Sequence, residues 1–177
     1  MLRKIVLVAA PTLVLFASFG VAGDDWRRSH RASAQLLPTE EVPALSSPAK
    51  GRFKAVISDA NQTIAFELSY DDLEAAPLFA HIHVGQRRVN GGISVFLCGP
   101  AANAAELCPA SPATVTGVLT PANIIGPVGQ GIDPATDQAN GFEELVRLLR
   151  SGDTYANVHT TKFPGGEIRG QIRPDRR

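Results

Sequence analysis

The chain has 177 residues, a formal net charge of zero, 44% hydrophobic residues, sixteen glycines and thirteen prolines. This length allows one domain with a substantial core, and the lack of a basic surplus argues against a nucleic-acid partner. The many glycines and prolines between short apolar runs are typical of an all-β fold.

The first 23 residues are interpreted as a signal peptide. Arg3 and Lys4 precede an uncharged run, residues 5–23, that ends in small residues before Asp24. The alternatives are cleavage at the small-residue site 32–34 and an uncleaved anchor, since about 20 apolar residues span a bilayer. Each alternative predicts an exported domain, periplasmic or secreted, that meets the membrane only through this segment. Removal of residues 1–23 leaves 15 basic and 17 acidic residues.

The rest of the chain divides into a leader, one domain and a short tail. Residues 24–33 mix both charges and predict a flexible leader, the domain covers residues 34–173, and residues 174–177 form the tail. Alternating apolar residues and turn signals predict a series of short strands in the domain. These strands cover residues 34–37, 52–58, 63–70, 79–84, 93–98, 113–119, 155–160 and 167–173. Prolines make residues 38–51 an irregular or edge segment.

A single clear helix is expected near Phe142 to Arg150. Its apolar residues recur at helical spacing, with Asn140 as the N-terminal cap and Gly152 at the C-terminal end. The stripe predicted to be buried consists of Phe142, Leu145, Val146 and Leu149. The fold class is therefore an all-β Greek-key sandwich with one short helix in its C-terminal half.

Cys98 and Cys108 are the only two cysteines. In an exported protein such a pair predicts a disulfide, here one that closes a short loop. A two-cysteine metal site is the disfavoured alternative.

Three of the four histidines lie in two predicted strands. Alternation places His81 and His83 on one face of their strand, with Cα atoms about 6.7 Å apart, and places Asn157 and His159 together on another. If the two strands are neighbours, three imidazole nitrogens could hold copper or zinc. Affinity for the metal should then fall as the pH drops through about 6.5. The structural alternative is that the histidines brace their strands by hydrogen bonding to loop carbonyls.

Several motifs together resemble the CHRD domain, named from the extracellular protein chordin. They are Ala80-His-Ile-His-Val-Gly85, Asn90-Gly-Gly92, Tyr155-Ala-Asn-Val-His-Thr160 and Pro164-Gly-Gly-Glu-Ile-Arg-Gly-Gln171, with Glu41-Val-Pro43 as a weaker match. The resemblance covers about residues 34–173. It implies an exported single domain whose architecture is similar to the copper–zinc superoxide dismutase sandwich. That enzyme uses six histidines and an aspartate for two metals, so the three histidines here cannot supply its zinc set.

Two further groups of polar residues have both a structural and a functional interpretation. Glu167, Arg169 and Gln171 share one strand face, which predicts a solvated face with an ion pair. Glu167 and Arg169 could instead form a recognition patch or, with Asn157, orient His159. The acidic residues Asp71, Asp72 and Glu74 suggest a solvated loop rather than a calcium site.

The sequence gives no support for nucleophilic catalysis or phosphate binding, because it lacks Gly-x-Ser-x-Gly and nucleotide fingerprints. No catalytic residue is assigned, and a non-enzymatic function is favoured over an enzymatic one. The leading hypothesis is an exported binding or structural module for an unidentified protein or small ligand. The alternative is a small copper protein, with superoxide-dismutase-like or copper-carrier activity, that uses His81, His83 and His159.

Overall fold

A computed structural model describes residues 30–100 and 106–175. Within these residues the chain forms eight strands and one α-helix. The strands are β1 (His30–Leu36), β2 (Lys50–Ser58), β3 (Thr63–Asp71), β4 (Pro77–Val84), β5 (Ile93–Cys98), β6 (Ala113–Leu119), β7 (Thr154–Thr160) and β8 (Ile168–Pro174), and the helix is α1 (Gln138–Ser151). The predicted signal peptide, most of the leader and the end of the tail lie outside the described residues.

All strand pairs are antiparallel, and the strand order is β5-β4-β7-β8-β1-β2-β3-β6. The order divides into two halves, β5-β4-β7-β8 and β1-β2-β3-β6. Only two residue pairs join the halves, Ala32 with Pro174 and Ser33 with Arg173. The two halves pack face to face, and several spatial neighbours are not consecutive in the chain. The predicted all-β sandwich with one helix is confirmed.

The core lies between the two halves and has the alternation that the sequence predicted. In β3, for example, Ile64, Phe66, Leu68 and Tyr70 are buried, whereas the residues between them are partly or fully exposed. Side chains from both halves and from α1 form one continuous cluster of buried apolar residues. Burial of this apolar area is the main favourable contribution to folding.

Helix α1 is longer than predicted, and its cap is a different residue. It begins at Gln138, and the carboxylate of Asp137 accepts hydrogen bonds from the backbone N–H groups of Ala139 and Asn140. The prediction of Asn140 as the cap is therefore wrong, because a cap satisfies the free N–H groups of the first turn and Asn140 already lies inside it. The predicted end is confirmed, since Gly152 adopts a left-handed conformation with φ of 81°.

Strand β1 begins at His30, four residues before the predicted start. Antiparallel pairing with β2 extends through this region, and Arg31 and Ala32 lie opposite Val56 and Ala55. Arg31 is exposed, Ala32 is buried and Ser33 is half-buried, which is the pattern of a half-exposed strand rather than of a flexible leader.

The predicted disulfide between Cys98 and Cys108 is present. It links the end of β5 to the segment before β6. The hydroxyl of Tyr70 on β3 donates a hydrogen bond of 2.6 Å to the carbonyl of Pro109, next to the disulfide. Among the described residues, no helix has the length and apolar character required to cross a membrane.

Candidate metal centre

The half β5-β4-β7-β8 has buried side chains on both of its faces. Its inner face is apolar and belongs to the core. All seven residues of β7 are buried, so the alternate side chains, which point away from the core, are covered as well. We call these side chains the outer polar layer: His81, His83, Tyr155, Asn157, His159, Glu167, Arg169 and Gln171.

Three segments cover the outer polar layer: residues 37–49, which we call the cover segment, residues 85–92, and the turn 161–166. Each contacts the layer through a hydrogen bond. Ser47 donates to Glu167, Asn90 accepts from Arg169, and Pro164 bonds to His159. The prediction that Glu167 and Arg169 lie on a solvated strand face is therefore wrong. Both residues are almost completely buried, because the proline-rich segment before β2 folds over this face.

Antiparallel register brings the three histidines together. On β4 and β7, His81 lies opposite Asn157, and His159 lies opposite Phe79. His81 therefore has His83 two residues away on its own strand and His159 as a diagonal neighbour on the next strand. One nitrogen from each ring lies within 4.8 Å of the others. The predicted neighbouring positions of β4 and β7 are observed.

The spacing fits a metal ion after small adjustments. Three atoms no more than 4.8 Å apart all lie within about 2.8 Å of a common point, so ring movements of roughly 0.7 Å give metal–nitrogen bonds of about 2.0–2.1 Å. Movements of this size lie within ordinary side-chain flexibility.

Hydrogen bonds leave one ring nitrogen free on each of two histidines. The Nδ1 atoms of His83 and His159 lie 2.9 Å from the carbonyls of Gly91 and Pro164. A carbonyl can only accept, so each Nδ1 donates its proton and each Nε2 keeps a lone pair. Among the described residues, neither Nε2 atom has a hydrogen-bond partner, and His81 has none at either nitrogen. The bracing by loop carbonyls thus exists for two histidines, and it leaves the other nitrogens available.

Burial keeps the three imidazoles neutral. It lowers the pKa of His81 to about 2 and that of His83 to about 4, and it also lowers the pKa of His159. Repulsion between a proton on His81 and a proton on either neighbouring ring lowers the pKa of His81 further. Neutral imidazole is the form that binds metal. Protons should therefore compete with a metal only well below pH 6.5, the value at which the sequence predicted that affinity would begin to fall.

Aromatic rings enclose the histidines. Phe79 lies 5.2 Å from His81 and 4.7 Å from His159 between ring centroids, and Phe96 lies 5.1 Å from His81. Tyr155 stacks on His83 with an interplanar angle of 4°. The cluster therefore lies in a largely apolar environment, where unpaired polar nitrogens are costly.

The guanidinium of Arg169 stacks on the ring of Tyr155. Its guanidinium carbon lies 3.4 Å from the ring centroid of Tyr155, a cation–π contact. Nη1 donates to Asn90 Oδ1 at 2.8 Å and Nη2 donates to the carbonyl of Val89 at 2.7 Å. Through these hydrogen bonds Arg169 holds residues 85–92 against the outer polar layer. The Tyr155 ring on which it stacks also stacks on His83.

Glu167 joins several segments and does not reach the histidine nitrogens. Its carboxylate accepts from the hydroxyls of Ser47 and Thr160, at 2.7 and 2.8 Å, and from the backbone N–H of Glu74 at 2.9 Å. These bonds hold the cover segment and the β3–β4 connection against β7 and β8. Its hydrogen bonds among the described residues all go to these neighbouring segments, including Thr160, the residue after His159.

Glu41 is a buried residue of the cover segment that sequence reasoning missed. It is 8% exposed, its Oε1 atom has no hydrogen-bond partner, and burial raises its pKa to about 7 against opposing effects of Arg169 and Asn157. Asn157 lies opposite His81 and two residues before His159, so it is the residue of the outer polar layer that links Glu41 to the cluster. The Glu41-Val42-Pro43 match was the available signal, but irregular backbone has no periodicity to show which side chains turn inward.

The acidic residues after β3 lie apart from the cluster. Lys50 pairs with Asp72 at 2.7 Å and with Asp71 at 3.6 Å, and Lys162 pairs with Glu74. All of these groups are substantially exposed. The arrangement is that of solvated ion pairs, each worth little in stability.

Comparison with known proteins identifies one family. The model of the CHRD domain matches residues 32–172 of the chain. No curated protein and no solved structure matches it significantly. The matched range includes the cover segment, the three histidines and every strand except the ends of β1 and β8.

Proposed function

The chain belongs to the CHRD domain family, and from this premise we propose that it is an exported, non-enzymatic binding module that holds one metal ion. The ligands are His81, His83 and His159, and copper is preferred to zinc. The observation that carries the proposal is the convergence of unpartnered imidazole nitrogens inside a buried layer.

The donor set supports a transition metal rather than calcium or magnesium. Imidazole nitrogen suits copper and zinc, whereas calcium and magnesium prefer oxygen ligands. For the same nitrogen donors, divalent copper binds more tightly than zinc. The carbonyls of Gly91 and Pro164 would fix the tautomer and orientation of two rings, as outer-shell partners of metal-binding histidines commonly do.

Burial favours binding over turnover. The unpartnered nitrogens of the cluster have almost no solvent-accessible surface, so a substrate in solution cannot approach them without movement of a covering segment. This observation supports retention of a bound copper ion over a superoxide-dismutase-like reaction. Export is supported by the uncharged N-terminal run and by the Cys98–Cys108 disulfide.

Metal titration of the mature chain, prepared without a polyhistidine tag, tests the proposal. Residues 24–177 are freed of metal and titrated with Cu²⁺ and Zn²⁺ against a chromophoric chelator. We expect one equivalent to bind, copper more tightly than zinc, and binding to weaken at least 100-fold in the His81→Ala, His83→Ala double variant.

A matched control replaces Asp71 and Asp72, two acidic residues of the loop that was considered as a calcium site. The Asp71→Asn, Asp72→Asn variant keeps the histidines and should bind as the wild type does. Circular dichroism of both variants without metal establishes that they are folded. Equal affinity in the wild type and the histidine variant would contradict the proposal and leave the histidines as structural braces.

A further inference from the structure

Glu41 of the cover segment and Glu167 of the outer polar layer are two buried carboxylates with opposite hydrogen-bonding situations. Glu167 accepts from three donors, so its burial is explained by structure. Glu41 is buried to a similar degree, and its Oε1 has no partner. A buried acceptor without a donor is costly. Arg169 is the cation that the protein itself places near this carboxyl, and the Oε1 atom remains available for a further positive charge.

The backbone around Glu41 holds the carboxyl in this place. The N–H groups of Glu41 and Leu45 both donate to the carbonyl of Pro38, at 3.1 and 3.0 Å, and make a compact turn. Leu37 and Arg169 exchange two backbone hydrogen bonds, which fasten the start of the cover segment to β8. These main-chain bonds fix the backbone from which the Glu41 side chain extends.

Gly166 provides the space that the carboxyl occupies. A Cβ atom at this position would collide with the Glu41 carboxylate, and the φ of 125° is one that residues with side chains rarely adopt. The turn between β7 and β8, whose Pro164 carbonyl bonds to His159, thus also leaves room for the Glu41 carboxyl at Gly166.

The charges of the layer indicate what the carboxyl does. Three neutral imidazoles bring no negative charge to a bound cation, and the nearby guanidinium of Arg169 repels one. Taking a cation out of water requires a compensating anion. Both oxygens of Glu167 already accept from polar donors, whereas one oxygen of Glu41 is free among the described residues. The side chain of Asn157 acts on the Glu41 carboxyl, and Asn157 lies opposite His81 and two residues before His159 on the same strand face.

We propose that Glu41 is the counter-ion of the three-histidine metal centre, so that its carboxylate compensates the charge of the ion that His81, His83 and His159 hold. This inference rests on the proposed function. Glu41 is a positioning residue in this arrangement and acts on the ion through the field of its charge and through Asn157. Because the attraction is proportional to the charge of the ion, Glu41 favours a divalent ion over a univalent one.

The test compares Glu41→Gln with Glu40→Gln, its sequence neighbour. Glu40 belongs to the same cover segment but is paired with Arg87 in an exposed salt bridge, so its replacement removes the same charge outside the layer. Both variants and the wild type are titrated at pH 8 with Cu²⁺, with Zn²⁺ and, under reducing conditions that spare the disulfide, with Cu⁺.

We expect Glu41→Gln to weaken Cu²⁺ and Zn²⁺ binding at least tenfold and Cu⁺ binding by a smaller factor. Glu40→Gln should change each affinity less than twofold. Without metal, Glu41→Gln should melt at the same temperature as the wild type or higher, because a neutral amide needs no counter-charge. Glu41→Asp keeps the charge and should bind more tightly than Glu41→Gln.

The outcomes separate this inference from the proposed function. If the wild type binds no metal, the proposed function fails and the inference with it. If the wild type binds but Glu41→Gln matches it for all three ions, only the counter-ion role is overturned. A lower melting temperature of metal-free Glu41→Gln with unchanged affinity would mean that Glu41 only compensates the charge of Arg169 and does not act on the metal ion.

Discussion

At the scale of single residues, the buried histidines bind fewer protons in the folded chain than in the unfolded one. An unfolded histidine has a pKa of about 6.5, and burial lowers the pKa of His81 to about 2 and of His83 to about 4. Between these values and 6.5 the unfolded state binds more protons, so stability falls as the pH falls. Glu41 has the opposite sign, since its pKa is raised to about 7 and its protonation on acidification favours the folded state.

We therefore predict that the metal-free protein loses stability between pH 6.5 and pH 5. The loss should be on the order of 1–2 kcal/mol for each of His81 and His83, measured by urea unfolding at several pH values. Glu41→Gln should show a steeper loss, because it lacks the opposing titration, and His83→Gln a shallower one. A stability that does not change over this range would contradict the burial of neutral imidazoles.

At the scale of elements, the helix shows how a cap decides where a helix begins. The apolar stripe of α1 identified the buried residues Phe142, Leu145, Val146 and Leu149 correctly. The cap was misplaced by three residues because both Asp137 and Asn140 are favourable cap types. Only the positions of the first free N–H groups distinguish them, and the spacing of apolar residues does not contain that information.

We predict that Asp137→Ala lowers the free energy of unfolding by about 1 kcal/mol, because two N–H groups lose their acceptor. Asn140→Ala is the matched control and should change it by less than about 0.5 kcal/mol, since Asn140 is exposed and inside the helix. Chemical denaturation measures both. If Asn140→Ala lost more stability than Asp137→Ala, Asn140 would be the cap, as predicted from the sequence.

At the scale of the whole molecule, the chain has to pass from one half of the sandwich to the other between β5 and β6, the two ends of the strand order. The disulfide and the hydrogen bond from Tyr70 to Pro109 fasten this passage to β5 and β3. A cross-link that closes a loop stabilises the fold mainly by restricting the unfolded chain.

We predict that the mature protein, unfolded without reductant, has no free thiol in a titration. Reduction should lower its stability by about 3 kcal/mol, as expected for a loop of this length. The Cys98→Ala, Cys108→Ala variant should be insensitive to reductant. Two free thiols in the protein isolated from its exported location would contradict a constitutive disulfide.

The sequence predicted the strands and the face shared by His81 and His83 because both depend on alternation, which is local. It did not predict the burial of Glu167 and Arg169, since that depends on a distant segment folding over them. Glu41 was out of reach for the same reason, because it lies in that segment, where prolines replace any regular period. Local pattern thus identified the candidate ligand residues, and only tertiary contacts identified the residues around them.

The two buried faces of β4 and β7 have a consequence for how this sequence can evolve. Even-numbered residues such as Ala80, Ile82, Ala156 and Val158 make the core, and the odd-numbered His81, His83 and His159 make the candidate site. Core residues and candidate-site residues thus alternate along the same strands. A descendant could exchange the histidines for other buried side chains and keep the sandwich. Shared ancestry at the level of the fold would then say nothing about whether the metal centre was inherited.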